Sequence, residues 1–120
     1  MLKLSCVYWE NPGSGSSYSS QAVNGRCRLH SIVSAGDSSN HTSIIATSSP
    51  IIVLYDGSSI SGDSKIKFCD TLNSNSNQPY GGNVVLDIPG GSILFTEGIF
   101  IDSYDGNKGV SLIISGGLSA

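Results

Sequence analysis

Short apolar runs that end at turn residues are the feature that most constrains the fold of this 120-residue chain. Residues 51–55 (IIVLY) are continuously apolar and stop at Asp56-Gly57, and residues 83–88 stop at Pro89-Gly90-Gly91. No window keeps the i, i+3, i+4, i+7 spacing of an amphipathic helix. Seven or eight short strands, spaced roughly 8–12 residues apart, predict an all-β protein, an antiparallel β-sandwich or jelly roll without substantial helix.

A Gly/Ser-rich segment near the N-terminus suggests how the chain is divided. Residues 11–17 (NPGSGSS) have the composition of a flexible linker. We expect residues 1–24 to form an N-terminal strand and flexible arm, and residues 25–120 to form the β-sandwich domain. In the binding mode that this division favours, residues 1–20 add a strand to a neighbouring molecule.

Alternation within the runs predicts the core. Residues 26–34 place Cys27, Leu29, Ser31 and Val33 on one face of a strand. Residues 92–95 and 98–102 form either a tight hairpin or one strand with a bulge at Gly98. The predicted core comprises Leu29, Val33, Ile52, Leu54, Ile66, Phe68, Val85, Ile88, Leu94, Ile99, Ile101, Leu112 and Ile114.

Charge is sparse and scattered. Charged residues make up 12% of the chain, about half the roughly 25% typical of soluble domains, and the net charge is −3. The nearest approach to a basic patch is Arg26 and Arg28 with Lys65 and Lys67, each pair on one face of a strand. We interpret these pairs as solvated strand faces and expect no nucleic-acid partner. A surface of hydroxyls and amides suits contact with neighbouring proteins.

Three widely spaced cysteines, Cys6, Cys27 and Cys69, include no CxxC motif and predict neither a disulfide framework nor a zinc site. We expect them to behave as small apolar residues. The sequence also lacks the long apolar run of a signal peptide or a membrane helix, so we expect synthesis in a cytoplasm and no membrane partner.

Two histidines are the candidates for a general base. His30 lies on the polar face of a predicted strand beside Arg28, and His41 lies in an Asn/Ser-rich loop. Neither position suggests a base held against a nucleophile, and we interpret both as bystanders. The glycine pairs open no helix that could hold a phosphate, so no cofactor and no small-molecule substrate are expected.

The aspartates lie mostly at strand ends and in turns, where Asx-turn chemistry places them. A glycosidase-type carboxylate pair is the catalytic alternative. Asp102, Asp105 and Asn107 hint at calcium but do not match an EF-hand loop, so no metal site is predicted. The aspartates concerned are Asp56, Asp63, Asp70, Asp87, Asp102 and Asp105.

Four aromatic residues lie outside the predicted core, near the N-terminal segment and the long polar loops. Such residues either close the end of a β domain, contact a partner protein, or stack on a sugar ring. We take them as candidate partner contacts: Tyr8, Trp9, Tyr18 and Tyr80.

Several segments together resemble small virion proteins of tailed bacteriophages, especially those of marine and cyanobacterial phages. They are residues 25–32 (GRCRLHSI), 52–57 (IVLYDG), Gly62 before KIKF, 88–95 (IPGGSILF) and 98–102 (GIFID). The resemblance covers most of residues 25–114 through strand-and-turn patterns. It implies a compact β-sandwich without catalytic residues, present in the virion in many copies. The implied partners are the major capsid protein or another virion protein, and further copies of this chain, for example in a trimer.

The leading hypothesis is therefore a virion structural protein, a capsid decoration or cement subunit that acts without catalysis. The alternative is a tail or head-fibre adhesin-type binding module that recognises a carbohydrate. A small hydrolase, built on a histidine or a carboxylate pair, is the third hypothesis.

Overall fold

The computed structural model describes residues 3–10, 18–36, 51–69, 84–103 and 107–119. These residues form strands and turns without a helix, and the strands pair antiparallel, so the predicted all-β class is confirmed. A strand predicted at residues 43–47 lies outside the described residues. The strands are β1 (Ser5–Glu10), β2 (Tyr18–Gly36), β3 (Ile51–Asp56), β4 (Asp63–Cys69), β5 (Val84–Asp87), β6 (Ile93–Phe95), β7 (Gly98–Ser103) and β8 (Asn107–Ser119).

Hydrogen bonds join all of these strands into one sheet, in the order β1-β8-β2-β7-β3-β4, with β5 and β6 also paired to β2. β8 follows one edge of β2, while β7, β6 and β5 follow one another along the other edge. Residues 84–103 therefore act as one interrupted strand antiparallel to β2. This pairing decides between the two alternatives for residues 92–102: β6 and β7 are successive pieces of a bent strand, not a hairpin.

The sheet folds over itself because β2 bends. Trp9 of β1 pairs with Val110 of β8, which pairs with Ser34 near the end of β2. The Trp9 indole N–H nevertheless donates to the Ser20 hydroxyl, near the start of β2, at 2.8 Å. In a straight strand Ser20 and Ser34 would be more than about 40 Å apart. One continuous sheet thus brings its two halves together, which is compatible with the predicted sandwich.

β2 changes register beside a glycine with a left-handed backbone. The pairing of β2 with β8 shifts between Asn24 and Cys27, and Gly25 has a φ of 85°. A left-handed φ of this kind is costly for residues that carry a Cβ. A glycine at this position therefore lets the strand turn without losing its continuity.

The core fills the space between the two halves of the sheet. It consists of Val7, Trp9, Ala22, Val23, Cys27, Leu29, Ile32, Ile52, Leu54, Ile88, Phe95, Ile99, Ile101, Val110, Leu112 and Ile114. The core prediction is confirmed for Leu29, Ile52, Leu54, Ile88, Ile99, Ile101, Leu112 and Ile114. Ile66 and Phe68 are half-buried and pack against this cluster, as their alternation predicts.

Two residues of the predicted core, Val33 and Val85, face outward, and their assignment to the core is wrong. Val33 is 39% exposed and Val85, its ladder partner, is 69% exposed. The cause is a register shift between Leu29 and Ser31 in the pairing with β8. An extra residue in a strand exchanges the inward and outward faces beyond it, so Ile32 takes the core position.

A smaller correction concerns Leu94, which is half-buried, whereas its neighbour Phe95 is fully buried. Phe95 pairs with Cys27, whose side chain points into the core, and Leu94 pairs with Arg28, which points outward. The register against β2 therefore turns Phe95 inward.

Residues on both sides of the expected boundary at 24–25 belong to one sheet. β1 pairs with β8 over its whole length, Val7 and Trp9 are core residues, and β2 runs across the boundary. The linker residues 11–17 lie outside the described residues. Because β1 supplies core side chains to this chain, deletion of residues 1–20 would disturb the fold as well as any contact with a neighbour.

Candidate functional site

The aromatic candidates occupy different environments. Tyr8 is 56% exposed, Tyr18 is 37% exposed and Trp9 is only 5% exposed; Tyr80 lies outside the described residues. Trp9 is in the core, contrary to the expectation that it lies outside it. Its ring lies 5.8 Å from that of Tyr18, tilted by 34°. Through this contact and its hydrogen bond to Ser20, Trp9 connects the two halves of the sheet.

Tyr8 lies on the outside of the sheet. Its ring packs over Gly109 of β8 and fills the space that a Cβ on that glycine would occupy. An aromatic ring that shields a glycine on the neighbouring strand is a known stabilising device in sheets. Tyr8 thus supports the sheet and still presents more than half of its surface to a partner.

A row of outward-facing side chains crosses four strands from Tyr8. Tyr8 pairs with Ser111, Ser111 with Val33, and Val33 with Val85. In the adjacent row, exposed Cys6 pairs with half-buried Ile113. We call these six residues the outer face: Cys6, Tyr8, Val33, Val85, Ser111 and Ile113. None of them is charged, and four are apolar or aromatic residues other than cysteine.

A second feature on β2 is an open depression of about 230 Å³, here called the basic pocket. It is lined by Arg26, Cys27, Arg28, Leu94, Ser115 and Gly116. Arg28 makes a long contact, 3.4 Å, with the Ser92 hydroxyl, and neither Arg26 nor Arg28 forms an ion pair with a described carboxylate. Lys65 and Lys67 do not line this pocket, and they lie on β4, at the other end of the strand order from β1.

His30 connects the basic pocket to a tight turn. Its Nδ1 lies 3.2 Å from the Gly91 carbonyl oxygen, and its Nε2 lies 3.0 Å from Ser115 Oγ. A carbonyl oxygen accepts but cannot donate, so Nδ1 carries a proton. The neutral ring then accepts the Ser115 hydroxyl proton at Nε2. Both ring nitrogens of His30 are therefore engaged by neighbouring groups.

The turn that holds Gly91 has a defined chemistry. The Gly91 N–H donates to the Ile88 carbonyl at 3.0 Å, and the Ile88 N–H donates to the His30 carbonyl at 3.1 Å. Pro89 and Gly90, with a φ of 84° at Gly90, occupy the positions that a type II turn requires. The sequence Ile88-Pro89-Gly90-Gly91 thus fixes the acceptor for the His30 ring.

Asp56 is a buried acid with structural partners. Its carboxylate accepts the Thr96 N–H at 2.8 Å, the Thr96 hydroxyl at 2.9 Å and the Glu97 N–H at 2.8 Å. Burial by itself raises the pKa of this carboxyl, but the three hydrogen bonds and the nearby Lys65 outweigh it, so the pKa lies below its ordinary value. Asp56 is therefore ionised and holds the link between β6 and β7.

The described cysteine side chains differ in environment. Cys6 is exposed, and Cys27 is buried as a free thiol. Burial, with a smaller contribution from the Asp56 carboxylate, raises the pKa of the Cys27 thiol to about 11. A thiol that stays protonated is a poor nucleophile and a poor metal ligand.

The described residues do not bring the metal-binding or catalytic candidates of the sequence together in one cluster. Among these residues, no group of three or more His, Cys, Asp or Glu side chains could hold a metal ion. His41, Asp70 and Asp105 lie outside the described residues, so the calcium and glycosidase alternatives that involve them rest on the sequence alone. Within the described ranges, no helix has the length and apolar character needed to cross a membrane.

No protein-family model and no curated protein sequence matches this chain. The outer face and the basic pocket are the two surface features that the described residues offer for binding. Sequence reasoning identified Tyr8 and the spacing of Arg26 and Arg28. It missed Ser115, which is 85 positions from His30 and meets it through strand pairing alone.

Proposed function

We propose that this chain is a virion structural protein of a tailed bacteriophage, a capsid decoration or cement subunit that binds its neighbours without catalysis. The outer face carries this proposal. An antiparallel sheet that meets water on one side ordinarily alternates apolar inward and polar outward residues. Here Tyr8, Val33, Val85 and Ile113 depart from that pattern together, on four adjacent strands.

The composition of the outer face is that of the centre of a protein interface. Such centres are depleted in charge and enriched in tyrosine and other large apolar side chains. Contiguous exposed apolar groups on a folded domain commonly mark a binding surface. A subunit held on a lattice by its neighbours needs a surface of this kind, and the resemblance to phage virion proteins supplies the class of neighbour.

The reactive side chains of the described residues support a role without catalysis. Three reactive groups already have structural partners. The Asp56 carboxylate and the His30 ring form hydrogen bonds that join neighbouring segments, and the Cys27 thiol is buried in the core. A general base or nucleophile must instead be free to meet a substrate.

The test compares two substitutions that each add one positive charge to an exposed apolar position. Val85→Lys alters the outer face, and Ile60→Lys, at a residue 61% exposed in the turn between β3 and β4, is the matched control. Each purified protein is sedimented with capsids that lack the subunit. We expect Val85→Lys to bind at least about tenfold more weakly, since an unpaired charge buried in an interface costs more than about 1.4 kcal/mol.

Equal binding by Val85→Lys and the unaltered protein would contradict a docking role for the outer face. Mass spectrometry of purified particles tests the location independently, because a cement subunit must be present in capsids. Its absence from particles would reject the virion proposal. Its presence in tails, combined with binding to a glycan array, would favour the adhesin-type module instead.

A further inference from the structure

We propose that the basic pocket binds a tetrahedral oxyanion, a sulfate or phosphate group, and that His30 tunes this binding through the Ser115 hydroxyl. This inference is independent of the capsid role, because it concerns a different set of side chains. It starts from two positive charges that the fold places side by side and that have no carboxylate partner among the described residues.

The two guanidinium groups share one face of β2. Arg26 and Arg28 are two residues apart, so their Cα atoms are about 7 Å apart and their side chains leave the strand in the same direction. Both are exposed, and neither is ion-paired with a described carboxylate. Because guanidinium groups present forks of N–H donors, two of them side by side match an oxyanion with several acceptor oxygens.

The pocket adds a polar wall and an apolar wall to this pair. Arg28 pairs with Ser115 on β8 and with Leu94 on β6, and both of these residues line the depression. The Ser115 hydroxyl is held by His30 at 3.0 Å, so it is a positioned group rather than a freely rotating one. Leu94 offers an apolar surface on which the organic part of a sulfate or phosphate ester could rest.

The hydrogen bond between His30 and Ser115 reverses when the ring is protonated. Because Nδ1 already donates to Gly91, the neutral ring can meet Ser115 at Nε2 as an acceptor alone. The Ser115 proton then points at His30, and its oxygen presents lone pairs to the pocket. In the protonated ring Nε2 becomes a donor to Ser115 Oγ, which releases the hydroxyl proton to donate to a bound anion.

Among the described residues, the charged groups near His30 come from β2 and β5. Arg28 lies on the same strand, two residues away, and Asp87 of β5 pairs with the adjacent Ser31. The described residues of β6 are apolar, and the described side chains of β8 carry no charge. Protonation of His30 therefore both adds a positive charge to the pocket and turns the Ser115 hydroxyl towards it. Both effects strengthen oxyanion binding in acid.

The test uses inorganic sulfate, which keeps its charge over the range in which histidines ordinarily titrate, from about pH 5 to about pH 8. Amide chemical shifts of the intact protein are followed during titration with sulfate against chloride at constant ionic strength. We expect the changes to cluster at residues 26–28, 94 and 115–116, with tighter binding at pH 5 than at pH 8. A parallel titration with phenyl sulfate distinguishes a free ion from an ester that uses Leu94.

Three substitutions distinguish sulfate binding in the pocket from nonspecific attraction of sulfate to positive charge. Arg28→Gln should weaken sulfate binding about tenfold, the loss expected for one charge-assisted hydrogen-bonding partner. Lys67→Gln removes the same charge from an exposed position on β4 and should leave binding unchanged. Ser115→Ala should reduce the dependence of binding on pH, since it removes the hydroxyl that His30 orients.

Two results would overturn the proposal. Equal weakening by Lys67→Gln and Arg28→Gln would mean that sulfate responds to net charge and not to the pocket. An unchanged pH dependence in Ser115→Ala would remove the coupling to His30. The amide spectrum of each variant without sulfate shows whether the fold is retained, so a loss of binding is not confused with unfolding.

Discussion

Removal of the Asp56 carboxylate is expected to destabilise the link between β6 and β7. Asp56 is 7% exposed and accepts three hydrogen bonds of 2.8–2.9 Å, two from Thr96 and one from Glu97. Two of the donors are backbone N–H groups at the point where residues 84–103 leave their ladder with β2. The carboxylate therefore accepts backbone N–H groups that have no partner strand between β6 and β7.

The magnitude follows from the number of bonds and their exposure. A hydrogen bond to a charged group contributes about 1.5–3 kcal/mol, so three of them set an upper limit for the loss. Thr96 and Glu97 are exposed residues, so water can satisfy their donors once the carboxylate is gone. We expect Asp56→Ala to lower the free energy of unfolding by about 3 kcal/mol, a large part of the 5–15 kcal/mol typical of a domain.

Chemical denaturation followed by Trp9 fluorescence measures this change. Trp9 is the one tryptophan of the chain and is buried, so unfolding moves its indole into water. Asp87→Asn, which neutralises an exposed acid on β5, is the control and should change stability by less than about 0.5 kcal/mol. Asp56→Asn keeps the shape of the side chain but removes its charge and turns one of its two acceptor oxygens into an NH2 donor.

The dependence on pH provides the sharper test. Because the pKa of Asp56 in the folded protein lies below the ordinary value of 3.8, its contribution to stability is complete above that value. The contribution is lost as the pH falls through the folded pKa. The stability difference between the unaltered protein and Asp56→Asn should therefore shrink below about pH 4. A difference that stays constant down to pH 2, or an Asp56→Asn variant as stable as Asp87→Asn, would refute the reasoning.

Three further predictions test the register of β2 and the burial of Cys27. Ile32→Ala should lower the free energy of unfolding by about 2–5 kcal/mol and Val33→Ala by less than about 1 kcal/mol, since only Ile32 is buried. Equal losses of unfolding free energy, measured by chemical denaturation, would argue against the register shift between Leu29 and Ser31. Iodoacetamide at neutral pH should label Cys6 well before Cys27, as peptide mass spectrometry can show. Because the pKa of Cys27 is raised from 9.0 to about 11, its contribution to stability is complete below pH 9 and is lost as the pH rises through 11. Cys27→Ala should lose less stability over that interval.

Much of the strand content could be predicted because it depends on neighbouring residues. Residues 51–55 form the greater part of β3, and the alternation of Lys65, Ile66, Lys67 and Phe68 matches exposure on β4. In the same way, Pro89-Gly90-Gly91 marks the turn that follows β5. These predictions hold because side-chain alternation and turn chemistry are properties of short segments.

The candidate site was only partly predictable. Exposure of Tyr8 is consistent with its selection as a partner contact, whereas Trp9, chosen on the same grounds, is part of the core. Tyr8 and Trp9 differ because side chains alternate along β1. Val7 and Trp9 face the core, and Tyr8 faces outward. Which parity faces the core was not decidable from the sequence, because both faces of this strand carry large apolar residues.

By itself, the sequence determined that this is an all-β chain, where most of its strands begin and end, and that its charges are few. The tertiary structure alone decided that β2 bends over itself, that Val33 and Val85 face outward, and that Ser115 meets His30 beside two arginines. The reason is physical: turns and alternation are set within a few residues. Register, bulges and bends are instead set by the hydrogen bonds and packing between strands far apart in the chain.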